Sequence, residues 1–203
     1  RLNINFIVIS YKLSYNKLKW IMNNIDGLYI EGNLAGHNLD DKNHNEHFEK
    51  LKYLYKLSLK INKKRTFPIL SNCYGYDLII NSIEGHDITF NKNTHIKLKL
   101  FDIYHNTYFF DKSYITDSNL FDFSIIMPYD KFKKTKILSK QYKLISILNY
   151  NKQKLVDIIK HKKYPIYLMK SHPLCDNHKL TNHFVNLMYE SKQYRKYNNI
   201  MDN

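Results

Sequence analysis

Phe67-Pro68-Ile69-Leu70-Ser71-Asn72-Cys73-Tyr74-Gly75-Tyr76-Asp77 passes from an apolar run, through a break at Ser71 to Gly75, into an apolar helix predicted from Tyr76 to about Glu84 and stopped by Gly85. The strand of this unit is read over Thr66–Leu70, where Pro68 is tolerable only if its missing N–H is not needed. A nucleophile at the tip of a sharp strand-to-helix turn is held in a strained backbone conformation, and its neighbours at −2 and +2 must be small for the turn to close. Around Cys73 those neighbours are Ser71 and Gly75. The helix that follows points its N-terminus at the sulfur, which favours thiolate over thiol. Amide groups just after Cys73 are then available to an oxyanion. A structural cysteine at a strand end fits the same short pattern, so spacing alone leaves both readings open.

Upstream, Ile4-Asn5-Phe6-Ile7-Val8-Ile9 is a β-branched apolar run that predicts a buried strand. Ser14 can cap a helix running through Leu18 and Ile21 towards Asn24. Ile25–Gly32 predicts a second strand, and a loop rich in Asn, Asp and His runs from Asn33 to about Asn45. Phe48, Leu51, Tyr55 and Leu59 then mark the apolar face of a long helix ending in Lys63-Lys64, with Leu54 at its edge and Ser58 a polar break. The order β-α-β-α-β-α predicts an α/β fold with a parallel sheet and helices on both faces.

Downstream, Ile96–Leu100 alternates as a half-exposed antiparallel strand would, and residues 102–141 carry no clear element. Lys143–Leu148 and Leu155–Ile159, joined by a polar turn at Asn149 to Gln153, predict a hairpin. Tyr164–Met169 is another buried strand with His172 just beyond it. A last helix from about Asn177 or Thr181 through Tyr194 turns Phe184, Leu187 and Met188 inward. With no repeat and no linker-like stretch, one domain over 1–203 is expected. Cys73 and His172 each follow a buried strand directly. Both are therefore expected at the carboxyl edge of the sheet, where functional groups of open parallel sheets collect. That makes His172 the best-placed base for a Cys73 thiolate. His37, His44, His47 and His178 lie in polar loops or helix faces, where solvated roles are expected.

Composition narrows the class. The 203 residues weigh 24.6 kDa, enough to bury a full core, and 43% hydrophobic residues argue against disorder. Two cysteines, Cys73 and Cys175, exclude a disulfide framework, and no apolar run is long enough for a membrane span. The chain opens at Arg1 without an initiator Met and so reads as a fragment or a processed product. Its net charge is +14, yet only Arg1, Arg65 and Arg195 are arginines. Abundant Lys, Asn, Ile, Tyr and Phe are the residues of AT-rich codons. A nucleic-acid surface would more often use arginine's planar fork, so a nucleic-acid partner is not expected.

The segment Phe67–Asp77 resembles the nucleophile segment of gamma-glutamyl hydrolases, in the class I glutamine amidotransferase-like superfamily. Lys163-Tyr164-Pro165-Ile166-Tyr167 followed by Ser171-His172-Pro173 resembles that family's histidine segment, and Asp26–Asn33 resembles the strand leading to its Pro-Gly-Gly turn. The three segments keep the family's order across nearly the whole chain, with the family's first strand and helix expected to be missing upstream of Arg1. The resemblance implies a mostly parallel central sheet flanked by helices, flavodoxin-like and three-layered, with an antiparallel extension. It implies cleavage of γ-linked glutamyl amides such as folate poly-γ-glutamates. Cys73 is then the nucleophile and His172 the general acid/base, with Gly32, Asn33, Tyr74 and Asp77 at the oxyanion or substrate. Asp77 stands two residues after the elbow glycine, where true amidotransferases usually carry Gln and the hydrolases an acid. No cofactor and no metal are implied, a homodimer is compatible, and the family's typical address is secreted, lysosomal or vacuolar. No Asn-x-Ser/Thr acceptor accompanies that address here.

Departures from the family pattern point to a second reading. The first elbow glycine is Ser71, and Glu31 and Asn33 replace the proline and second glycine of the Pro-Gly-Gly turn. The acid two residues after the histidine is Leu174, with Asp176 the available substitute. The family's substrate-contacting histidine has no counterpart near Phe121–Phe123. Loss of a triad's orienting acid can cost about 10⁴ in turnover. A catalytically impaired relative that keeps the fold as a binding module is therefore the alternative to a working hydrolase. Cys175, three residues beyond His172, is expected near the same edge, close enough to suggest a disulfide that would mask Cys73.

Overall fold

A computed structural model of the chain describes residues 4–31, 41–84, 107–109, 119–120, 127–150, 152–170, 172–173 and 179–201. Helix α1 (Tyr15–Asn24) starts where its cap requires, Ser14 Oγ accepting from the Lys17 amide at 3.3 Å. Its buried residues, Leu18 and Met22, stand one turn apart. Strand β1 (Leu28–Ile30) follows, then α2 (Asp41–Ile61), β2 (Ile69–Asn72) and α3 (Tyr74–Glu84). The chain continues through β3 (Thr107–Phe109), β4 (Asn119–Leu120), α4 (Tyr129–Lys133), α5 (Leu138–Gln141), β5 (Tyr142–Tyr150) and β6 (Gln153–His161). It ends with β7 (Ile166–Met169), β8 (His172–Pro173) and α6 (Lys179–Met201).

Among the described residues, six strands form one sheet in the order β1-β2-β7-β6-β5-β3. β1, β2 and β7 are parallel neighbours, and β6, β5 and β3 extend the sheet antiparallel. The pairings leave four of the six strands running one way. This is the α/β sheet with an antiparallel extension that the sequence predicts. Alternation along the strands divides the core. Ile69 and Leu168 join α1, α2 and α3 on one face, while Leu70, Tyr167 and Met169 meet Leu180 and Phe184 of α6 on the other.

Several boundaries move. Ile4–Ile9 forms no strand: Phe6 is 78% exposed and Val8 97%. β-propensity is largely a fit to a pleated, half-buried surface, and this run pairs with no described strand. The described order therefore begins α-β-α-β-α. The expected loop to Asn45 gives way to helix from Asp41. In α2 the buried stripe is Leu51, Leu54, Tyr55, Ser58 and Ile61, with Phe48 and Leu59 on its flank. Leu54 and Ser58 are thus central. Ser58 is accommodated because its hydroxyl donates to the Tyr55 carbonyl at 2.6 Å. β2 is displaced towards Asn72, α3 begins at Tyr74, and α6 continues past Tyr194 to Met201. Pro68 lies outside β2, where its carbonyl accepts from Leu28 at 3.0 Å and no donor is required of it.

Within 102–141, β3 exists by pairing with β5, and α5 by a cap from far away. Glu84 Oε1 accepts from the Ile137 amide at 2.9 Å and from Leu138 at 2.6 Å, while Oε2 takes Lys136 at 3.2 Å. Both partners lie far off in sequence; the local mark of α5 is Thr135, whose Oγ1 accepts from the Ser139 amide at 3.0 Å. The expected strand Ile96–Leu100 lies outside the described residues. The hairpin forms over longer strands than predicted, with register shifts between Leu144 and Ile147 and Lys152 at φ 62 in its turn. Among the described residues no helix is long and apolar enough to cross a membrane.

Candidate active site

Cys73 has φ 50, in the left-handed region that non-glycine residues rarely occupy. It joins the end of β2 to the start of α3, so the strain sits at the tip of a strand–turn–helix. The turn closes because of its neighbours. A Cβ on Gly75 would come within 2.7 Å of the Ile30 carbonyl oxygen and 2.8 Å of Ser71 Oγ. The first turn of α3 thus rests directly on the ends of β1 and β2, and no side chain fits at 75. Ser71, paired with Ile30 in register, is fully buried against that contact. The Cys73 amide donates to the Met169 carbonyl at 3.1 Å, so the turn is also fastened to β7.

The Cys73 side chain is buried, and α3 begins at the next residue. The opening amides of a helix lack intrahelical acceptors and carry its positive end, an environment suited to thiolate and oxyanion alike. Tyr74 is buried, and burial with Asp77 nearby pushes its phenol up to about 12.

Asp77 lies one turn into α3, 2% exposed, and its carboxylate forms an ion pair with Lys170. Lys170 directly follows β7 and is 1% exposed. Its amide donates to the Asp157 carbonyl at 2.9 Å, and its ammonium lies 5.8 Å from the centre of the Tyr76 ring. Asp157, also buried, accepts from Ser146 Oγ at 2.8 Å. Tyr76 donates to the Val156 carbonyl at 3.4 Å, and burial first, then these carboxylates, hold its phenol well above its ordinary value. On the opposite sheet face, Tyr29 bonds the Asn72 side chain. Burial and then Glu31 raise the Tyr29 phenol, the Asn72 bond opposes them, and Cys73 is near enough to add to the rise.

His172 stands in β8, paired with Leu120, at the edge where β2 and β7 end. It stands three positions after Met169, the register partner of Asn72, a reach of at most about 11 Å. The topology therefore brings the backbones of Cys73 and His172 to one edge. Gly32, Asn33, Leu174, Cys175 and Asp176 lie outside the described residues, as do His37, His178 and Phe121–Phe123, and with them the suggested Cys73–Cys175 disulfide. His47 is half-buried, its ring 5.4 Å from that of Tyr11. Sequence reading passed over Lys170, Tyr29 and Asn72. The available signal was a lysine closing an otherwise apolar strand, with an acid on the adjoining helix.

No protein-family model matches the chain, and no curated protein matches its sequence. Among solved structures, it resembles a Thermoplasma acidophilum protein provisionally described as a GMP synthase component, with a TM-score of 0.54. The match has 16% identity and covers 88% of this chain and 80% of that one. The fold is glutamine amidotransferase-like. At that identity the likeness extends to the fold alone, and the amidotransferase-like fold is common ground for several reactions.

Proposed function

We propose that the chain is a cysteine hydrolase of γ-glutamyl amides, with folate poly-γ-glutamates as the substrate class. The observation that carries this reading is the left-handed Cys73 at the β2–α3 turn, closed by Gly75. Strain of this kind costs about 1–3 kcal/mol and persists where the surrounding structure overdetermines it, commonly at active sites. In the proposed reaction His172 takes the thiol proton, and Cys73 Sγ attacks the γ-carbonyl and forms a C–S bond. Amides at Tyr74 and near Gly32 and Asn33 hold the oxyanion. The C–N bond then breaks as His172 passes its proton to the leaving amine. Water, deprotonated by His172, cleaves the thioester and releases the γ-carboxylate and the thiol. Asp77, enclosed with Lys170, acts in this scheme on the shape of the site rather than on substrate directly.

Nucleic acid has no part in this reading. Arg65 and Arg195, two of the three arginines, are engaged internally with Ser191 and Asp26. Leu174 favours the second reading, a relative that binds γ-glutamyl ligands without turning them over. Release of glutamate from a γ-glutamyl dipeptide or a folate polyglutamate, abolished in Cys73→Ala, is the outcome expected of the hydrolase. Ligand binding with no turnover and no sensitivity to thiol reagents would replace it with the second reading.

A further inference from the structure

We propose that the Asp77–Lys170 ion pair is a positioning device that fixes the Cys73 elbow relative to the segment carrying His172. This rests on the Cys–His reading above. After Met169 the chain leaves the main sheet, and two residues past Lys170 it pairs instead with β4 through His172 and Pro173. Lys170 is thus the last described residue tied to the sheet before the histidine segment departs. Its side chain reaches back under the first turn of α3, to a residue four positions after the nucleophile. Its amide is held on the other side by Asp157 in β6 at 2.9 Å. One residue therefore joins the first turn of α3, the end of β7 and the middle of β6, at the edge to which the backbones of Cys73 and His172 are brought.

Burial makes a purely stabilising role a weak explanation. An ion pair removed from water gives back much of its attraction as lost hydration, and well-packed apolar replacements often match or exceed it in stability. An apolar pair cannot, however, reproduce a directional, charge-assisted contact between two backbone segments.

The test is the pH profile of Cys73 alkylation by iodoacetamide, read by peptide mass spectrometry so that Cys175 does not contribute. Wild type is expected to show a low-pH limb that disappears in His172→Ala. D77L/K170M should melt cooperatively near the wild-type temperature yet lose that limb. Its alkylation should slow about tenfold near pH 6, the effect of one pK unit on the thiolate population. Lys170→Arg, which keeps the pair, should retain the profile. If D77L/K170M does not melt cooperatively, Asp77→Asn takes its place, with the same outcomes deciding. A wild-type profile in the apolar double variant overturns the positioning role and leaves the hydrolase reading standing. Absence of the His172-dependent limb in wild type overturns both.

Discussion

The two ends of the parallel strands are built differently. At the carboxyl ends the backbone is strained at Cys73, a glycine is compressed between strand and helix, and a fully buried ion pair joins Asp77 to Lys170. At the amino ends the ion pair is partly solvated. Arg195 grips Asp26 with two bonds, Nε to Oδ1 at 2.8 Å and Nη2 to Oδ2 at 3.0 Å. Arg65 donates to the Ile25 carbonyl at 2.9 Å and to Ser191, linking the same strand end to α6. Burial, and then the neighbouring Arg195, lower Arg65 to about 10, which leaves it charged at neutral pH. One end fastens a helix to the sheet through charges that solvent still reaches. The other holds conformations and charges that would be unfavourable unless something else required them.

That contrast can be broken most directly at Lys170. Lys170→Met leaves the Asp77 carboxylate buried without its countercharge and should cost about 3–5 kcal/mol, read as a drop in the urea midpoint. A loss below about 1 kcal/mol would mean that water reaches Asp77 and that the carboxyl edge is not dry. Next in size, Gly75→Ala drives a methyl group into the Ile30 carbonyl and Ser71. It should cost about 1–3 kcal/mol by overpacking, and Cys73 alkylation should change with it because the turn can no longer close. Unchanged stability and thiol reactivity together would show that the elbow has room to spare.

At the amino ends, Asp26→Asn removes a pair whose two side chains are 18% and 24% exposed, so solvent already screens it. About 1 kcal/mol or less is expected. A loss equal to that of Lys170→Met would erase the distinction between the two ends.

The smallest effect is one of pH. His161 accepts from the Lys163 and Tyr164 amides through Nδ1, both at 3.1 Å, and burial, then Lys163, lower it from its ordinary 6.5. His183 pairs with the Tyr167 hydroxyl at 2.8 Å and is lowered by burial and then by Lys160, with Glu190 opposing. Between 6.5 and these depressed values the unfolded chain binds protons that the folded chain does not. Their stabilisation is therefore complete above about 6.5 and is lost as pH falls through the folded values. Urea midpoints should decline from pH 7.5 to 5.5, and less steeply in H161N/H183N. A midpoint that rises on acidification would contradict both shifts.

Much of the nucleophile turn was legible because its demands are local. Small residues at −2 and +2, an apolar strand before and an apolar helix after are all visible within Phe67–Asp77. The hairpin and α1 were legible for the same reason, one from alternation and turn residues, the other from Ser14 and the apolar spacing of Leu18 and Ile21, although the residue buried beside Leu18 is Met22. Ile4–Ile9 misled because a β-branched run becomes a strand only when an edge accepts it. The Glu84 cap on α5 and the pairing of β3 with β5 were illegible because their partners lie far off in sequence.

The α/β class, the strand–turn–helix at Cys73 and the segment beyond β7 that carries His172 follow from local order along the chain, because these depend on neighbours within a few residues. That Lys170 and Asp77 meet is a product of the folded packing. A lysine after a strand and an aspartate in a helix each have a solvated alternative, and only the closing of α3 over the ends of β2 and β7 removes the water and leaves them to neutralise one another.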